Sequence, residues 1–186
     1  MTASLFLALA AVLLTGLGGR DQLLVARLSH RLGARPLLLG VGVAVSAISA
    51  AGMAWAGALI GGQLSDSAET MLVAIALLLA ALELLWPQRD KPLREPTRSL
   101  GAAVIVLLAR QFCDGPRLLI FAIAAAMGSP ALAAIGGAIG GAAALALGWT
   151  MGEGLEQLPL RTLRLVLAST ITLMGVIIAL GVWGLL

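Results

Sequence analysis

From Pro36 to Gly62 not one residue carries a charge. At about 1.5 Å per residue, a helix over that stretch is longer than the roughly 30 Å hydrocarbon core of a bilayer. A soluble chain would have to wrap such a helix on all sides with polar-faced elements. This one lacks the means: 60% of its 186 residues are hydrophobic and 11% are charged, against about 25% charged in soluble domains. The apolar content also excludes a disordered chain, and the single cysteine, Cys113, excludes a disulfide scaffold and a paired-cysteine oxidoreductase. The stretch therefore predicts an integral membrane protein whose first partner is the lipid bilayer.

Five further apolar stretches of span length accompany it. They run from Leu5 to Gly19, Ala68 to Trp86, Leu100 to Met127, Ala131 to Gly152 and Leu165 to Trp183. The first is short and has the small-residue spacing of a cleaved leader. No Lys or Arg precedes it, however, which favours a retained span. Six spans leave no room for a soluble domain.

Basic residues orient the spans. Arg27, Arg31 and Arg35 fall in the first connection, Arg89, Lys91, Arg94 and Arg98 in the third, and Arg161 and Arg164 in the fifth. The second and fourth connections have none. Odd connections are thus expected in the cytoplasm and both termini outside. The net charge of +3 is a topology signal of this kind, not a nucleic-acid surface.

The two halves resemble each other at a shift of 94 to 95 residues. Pro36 corresponds to Pro130, Trp55 to Trp149, and the polar break Gly16 to Gln22 to Gln111 to Arg117. The expected fold is therefore all-α, with six transmembrane helices in two three-helix repeats: residues 1–86 and 99–186. A Pro-rich basic linker, 87–98, joins them on the cytoplasmic side. With an odd number of spans per half, the second repeat is inverted. Secondary transporters recurrently use this plan, with the substrate held where interrupted helices of the two halves meet.

The breaks hold the candidate site. In the first, Gly16, Gly18 and Gly19 weaken the helix beside Arg20, Asp21 and Gln22. In the second, Gly115-Pro116 interrupts a span that carries Gln111 and Asp114 near mid-depth. A carboxylate there is costly and calls for a partner or a function. Arg110 and Arg117 stand four before and three after Asp114, so both can pair with it on a helix. Asp114 is thus either the centre of a structural ion cluster or an ion-coupling group. Arg20 and Asp21 are either interface residues or part of the same site. Glu83 is expected to snorkel or to pair with linker arginines. The spaced glycines Gly57/Gly61, Gly136/Gly140 and Gly137/Gly141 are expected to pack helices closely.

These breaks, with their surroundings, resemble the Gdt-one / transmembrane protein 165 family of cation/proton exchangers. Each inverted half of that family carries the motif Glu-x-Gly-Asp-Lys/Arg-Ser/Thr, often followed by Gln. On the first motif Gly18, Arg20 and Gln22 match, while Gly16, Gly19 and Asp21 occupy the Glu, Asp and hydroxyl positions. On the second, Asp114 is retained, Gln111 stands at the Glu position and Cys113 at the Gly position. Gly115, Pro116 and Arg117 depart from it. The run Leu118 to Met127, Pro130 with Gly136 to Gly140, and Leu158 to Thr162 are also similar to the family.

The resemblance implies a secondary transporter of manganese or calcium against protons, in a bacterial inner (plasma) membrane, without cofactor or enzymatic activity and with homo-oligomers open. Asp114 would be the metal and coupling residue, Gln111 and Gln22 neutral oxygen ligands, Asp21 a second acid, and Gly18, Gly19 and Arg20 parts of the unwound backbone. Yet the ionisable residues of 16–22 and 111–117 sum to zero charge. That keeps three rivals open: a monovalent cation, a small organic or anionic solute, or a non-transporting protein with an assembly or regulatory role.

Overall fold

The computed structural model describes residues 2–32, 36–86, 111 and 114–185. The linker 87–98, the first part of the fourth expected span, Arg110 and Cys113 lie outside the described residues. Among those described, all regular structure is helical. The helices are α1 (Thr2–Gly16), α2 (Arg20–Leu32), α3 (Pro36–Gly61), α4 (Asp66–Leu85), α5 (Gly115–Met127), α6 (Pro130–Met151) and α7 (Leu160–Val182), with a short 3-10 helix at Gly152–Gln157.

Four of these, α3, α4, α6 and α7, are long and apolar enough to cross a membrane. The pair α1 and α2 forms a fifth candidate, bent by 64° at its break. The chain is an integral membrane protein. Its exposed large side chains are those that lipid accepts: Ile48, Leu82, Val166 and Leu173 are all more than half exposed. Trp86 and Trp183, at the ends of α4 and α7, are exposed as interfacial anchors would be.

Local sequence sets the helix ends. Ser65 caps α4, its side chain accepting the Ala68 N–H, and Asp66 and Glu69 in the first turn suit the positive end of the helix dipole. Gly128, at φ 56°, closes α5, and Pro130 opens α6.

One sequence expectation is corrected here. The arginine-bearing stretch after the first break was expected as a connection, yet it is helical as α2. Hydropathy averaging hides its second face: Leu24, Val25, Ala26 and Leu28 are buried. Leu24 and Leu28 pack with Leu38 and Val45 of α3 and against Trp149 of α6. The sixth expected span likewise starts earlier, at Leu160 rather than Leu165.

α5 is the centre of the bundle. Its 13 residues span about 20 Å, too short to cross hydrocarbon alone, and it packs against α1, α3, α4 and α6. Its Ile120, Ile123 and Ala124 meet Ala8 and Val12 of α1, Ala50 and Ala54 of α3 and Ala133 of α6. Two long pairs frame it, α3 along α6 and α4 along α7. Two of the three spaced pairs pack backbones together, while Gly137 and Gly141 make room for the side chains of Ile120 and Ser46. A Cβ on Gly57 or Gly61 would meet the carbonyls of Phe121 or Ala125 on α5, and one on Gly136 or Gly140 those of Leu5 or Leu9 on α1.

Candidate functional site

The two breaks face one cavity of about 280 Å³. The first contributes Gly16, Gly19, Arg20, Asp21 and Gln22; the second contributes Gln111, Asp114, Pro116 and Arg117. Glu83 on α4 and Arg164 on α7 complete the polar wall, with Ala144 of α6 beside them. A second cavity, of about 400 Å³, shares Arg20, Glu83 and Asp114 with the first. It is otherwise walled by apolar residues, among them Leu79, Leu82 and Trp86 at the bundle surface.

The first break is a folded turn. Gly18 takes φ 65°, a left-handed conformation that a side chain would strain. Its N–H donates to Gln22 Oε1 at 2.7 Å, while Gln22 Nε2 donates to the Ala144 carbonyl of α6 at 2.8 Å. Gln22 is buried, and both ends of its amide hold backbone. Its carbonyl therefore serves the turn, where the family resemblance implied a ligand oxygen.

Arg164 secures the other side of that turn. The residue is 7% exposed, and its guanidinium donates to the carbonyls of Gly18 at 2.7 Å, Glu83 at 2.9 Å and Leu84 at 3.1 Å. One side chain thus joins the first break, the C-terminal end of α4 and the start of α7. The sequence pattern counted Arg164 among orienting charges of an exposed connection. The buried fork corrects that, because the unpaired carbonyls at a helix end and a break are stronger attractors than solvent at the interface.

The second break is capped by two acids. Asp114 is the N-cap of α5: its Oδ1 accepts the Arg117 N–H at 3.0 Å, and its Oδ2 lies 3.8 Å from Arg117 Nη1. Glu83 Oε2 accepts the Gly115 N–H. The expected snorkelling of Glu83 is therefore replaced by an inward role. The first four N–H groups of a helix lack internal acceptors, and a buried helix start needs them supplied.

Arg117 extends the network into α3. Its Nε donates to Ser49 Oγ at 3.2 Å and its Nη2 to Ser46 Oγ at 3.0 Å. Ser49 in turn donates to Gln111 Oε1 at 2.8 Å. Sequence reading passed over both serines, since Ser46-x-x-Ser49 looks innocuous inside an apolar run. The three-residue spacing that puts two hydroxyls on one helix face was the available signal. Gln111 is fully buried, and its Nε2 has no hydrogen-bond partner among the described residues.

Of the expected residues, the fold brings Gln111, Asp114, Arg117, Gly19, Arg20, Asp21 and Gln22 to one cavity, and Gly18 just behind it. The ionisable groups on its wall are Arg20, Arg117 and Arg164 against Asp21, Glu83 and Asp114. No group of three or more His, Cys, Asp or Glu side chains able to hold a metal ion occurs among the described residues. Chemically the wall can bind, orient and pass a small polar solute or a proton. No protein-family model, curated protein or solved structure matches the chain.

Proposed function

We propose that the chain is a secondary transporter, built of six spans in two inverted three-helix repeats. A small solute would pass through the cavity between its two interrupted helices. One observation carries the reading: the breaks, almost a hundred residues apart in sequence, wall the same cavity, Gly19 to Gln22 from one side and Asp114 to Arg117 from the other. Pairing of α3 with α6 and of α4 with α7 is what an in-plane axis relating the halves would produce.

The resemblance to cation/proton exchangers makes manganese and calcium, exchanged for protons, the first cargo to test. Asp114 is then the group to neutralise. The experiment is uptake into proteoliposomes under an imposed pH gradient, with wild type beside Asp114→Asn. Accumulation of manganese or calcium, lost in the variant, supports the exchanger. Absence of any solute movement under any gradient overturns the transporter reading. It would favour a non-transporting protein, for which the extensively self-satisfied polar network around the cavity is the supporting observation.

A further inference from the structure

We infer that the cavity takes a small monovalent oxyanion, an inorganic one or a short carboxylate, in preference to a divalent cation. The inference rests on the transporter reading and names the substrate class of the same site. A hard cation binds through oxygens, predominantly carboxylates, that must be free to turn toward it. Here seven of the oxygens around the breaks already hold a donor, and the Asp21 carboxylate stands on the wall beside them. Gly18, Glu83 and Leu84 carbonyls accept from Arg164, Gln22 Oε1 from Gly18, Gln111 Oε1 from Ser49, and Asp114 Oδ1 from Arg117. Glu83 Oε2 accepts from Gly115.

Donors remain. The Gln111 Nε2 amide is buried on the cavity wall without a partner among the described residues. The single Ser49 hydroxyl proton has two acceptors in reach, Gln111 Oε1 at 2.8 Å and the Ser46 carbonyl at 3.1 Å; directed to the nearer, it leaves Nε2 as the spare end of the amide. A buried donor left unpaired is costly, and an acceptor on a bound solute removes that cost.

The two helix starts also differ in a telling way. Asp114 and Glu83 hold N–H groups of the α5 start with their carboxylates, whereas at the α2 start Gly19 has no side-chain acceptor to offer and Asp21, in the first turn, is the one acid of that helix end. The α2 start lies on the cavity wall beside Arg20, and a helix N-terminus attracts negative charge. Arg117, 4% exposed, adds a guanidinium whose Nε and Nη2 are turned to the α3 serines and whose Nη1 lies 3.8 Å from Asp114. Counted as formal charges, three arginines face three acids on the wall. A monovalent anion arriving with one proton keeps that balance.

The test uses the purified full chain in proteoliposomes. Nitrate and radiolabelled lactate are the anion probes, with manganese and calcium alongside, under an inward proton gradient. Uptake of nitrate marks an inorganic cargo and uptake of lactate an organic one; either supports the inference. Uptake of manganese or calcium with neither anion overturns it while leaving the transporter reading intact. Movement of nothing overturns both. Gln111→Glu puts an acid where the spare donor stands, and about a tenfold loss of anion uptake is expected. A folded Gln111→Glu protein with undiminished anion uptake overturns the role of that amide. Should this variant fail to fold, Arg20→Gln, at an exposed side chain, takes its place. A raised KM for the anion is then expected, and an unchanged KM and kcat overturns the inference.

Discussion

Arg164 Nη1 lies 2.7 Å from the carbonyl oxygen of Gly18, joining two residues 146 positions apart in the chain. The same guanidinium holds the Glu83 and Leu84 carbonyls in the last turn of α4, so three segments converge on one side chain. Arg164→Ala leaves three buried carbonyls without their donor. The expected loss is roughly 3 kcal/mol of stability, from about 1–3 kcal/mol for each group left unpaired and partial relaxation of the site. Arg164→Lys should fall between wild type and Ala, because an ammonium cannot reproduce the planar fork. Thermal unfolding in detergent of the three proteins checks the order, and a Lys variant as stable as wild type would refute the fork.

Much of the fold is legible in the sequence because lipid imposes simple arithmetic. Pro36–Gly61 and Pro130–Met151 announce themselves by apolar length and an opening proline. The breaks are visible because Gly16-Leu17-Gly18-Gly19 and Gly115-Pro116 cannot sit quietly inside a helix. What remained hidden is which side chain answers which break. Glu83 reaches Gly115 across 32 residues, and Arg164 reaches Gly18 across 146. Such matches depend on packing geometry, and counting charges along the chain assigns both residues to the membrane surface. α2 escaped for a related reason: its apolar face is real, but arginines on the other face cancel it in any average.

Gln22 gives a second test of the first break. Its amide accepts from Gly18 N–H and donates to Ala144 O. Gln22→Glu keeps the acceptor and loses the donor; Gln22→Leu loses both. The expected order of stability is Gln, then Glu or Leu, each lower by about 1–3 kcal/mol. Gly18→Ala compounds the loss through its φ of 65°. A Gln22→Leu protein with unaltered unfolding temperature would remove the tie between the turn and α6.

Asp114 acts as a cap whatever it does in transport. Asn is an equally good N-cap, so Asp114→Asn should keep α5 in place and lose only the charge facing Arg117. Asp114→Ala should cost about 1 kcal/mol more than Asn. Comparing the two by unfolding separates the cap from any effect on flux. If Asn proves as damaging to stability as Ala, the charge near Arg117, and not the cap, is what the fold requires.

The glycines offer the sharpest contrast, because identical substitutions should have opposite signs at two sites of one helix. A Cβ at Gly136 would drive into the carbonyl of Leu5 and one at Gly57 into that of Phe121, backbone atoms of helices that cannot yield separately. Gly136→Ala and Gly57→Ala must therefore push α1 or α5 outward, costing about 1–3 kcal/mol. Gly40, on the same α3 helix as Gly57, has nothing within 4 Å of its would-be Cβ. There the change removes only backbone freedom, and Gly40→Ala should stabilise by up to about 1 kcal/mol. Unfolding of the three single variants in detergent decides it. Equal effects at Gly40 and Gly57 would mean that helix propensity alone is being measured and that α3 does not seat against α5 through its glycines.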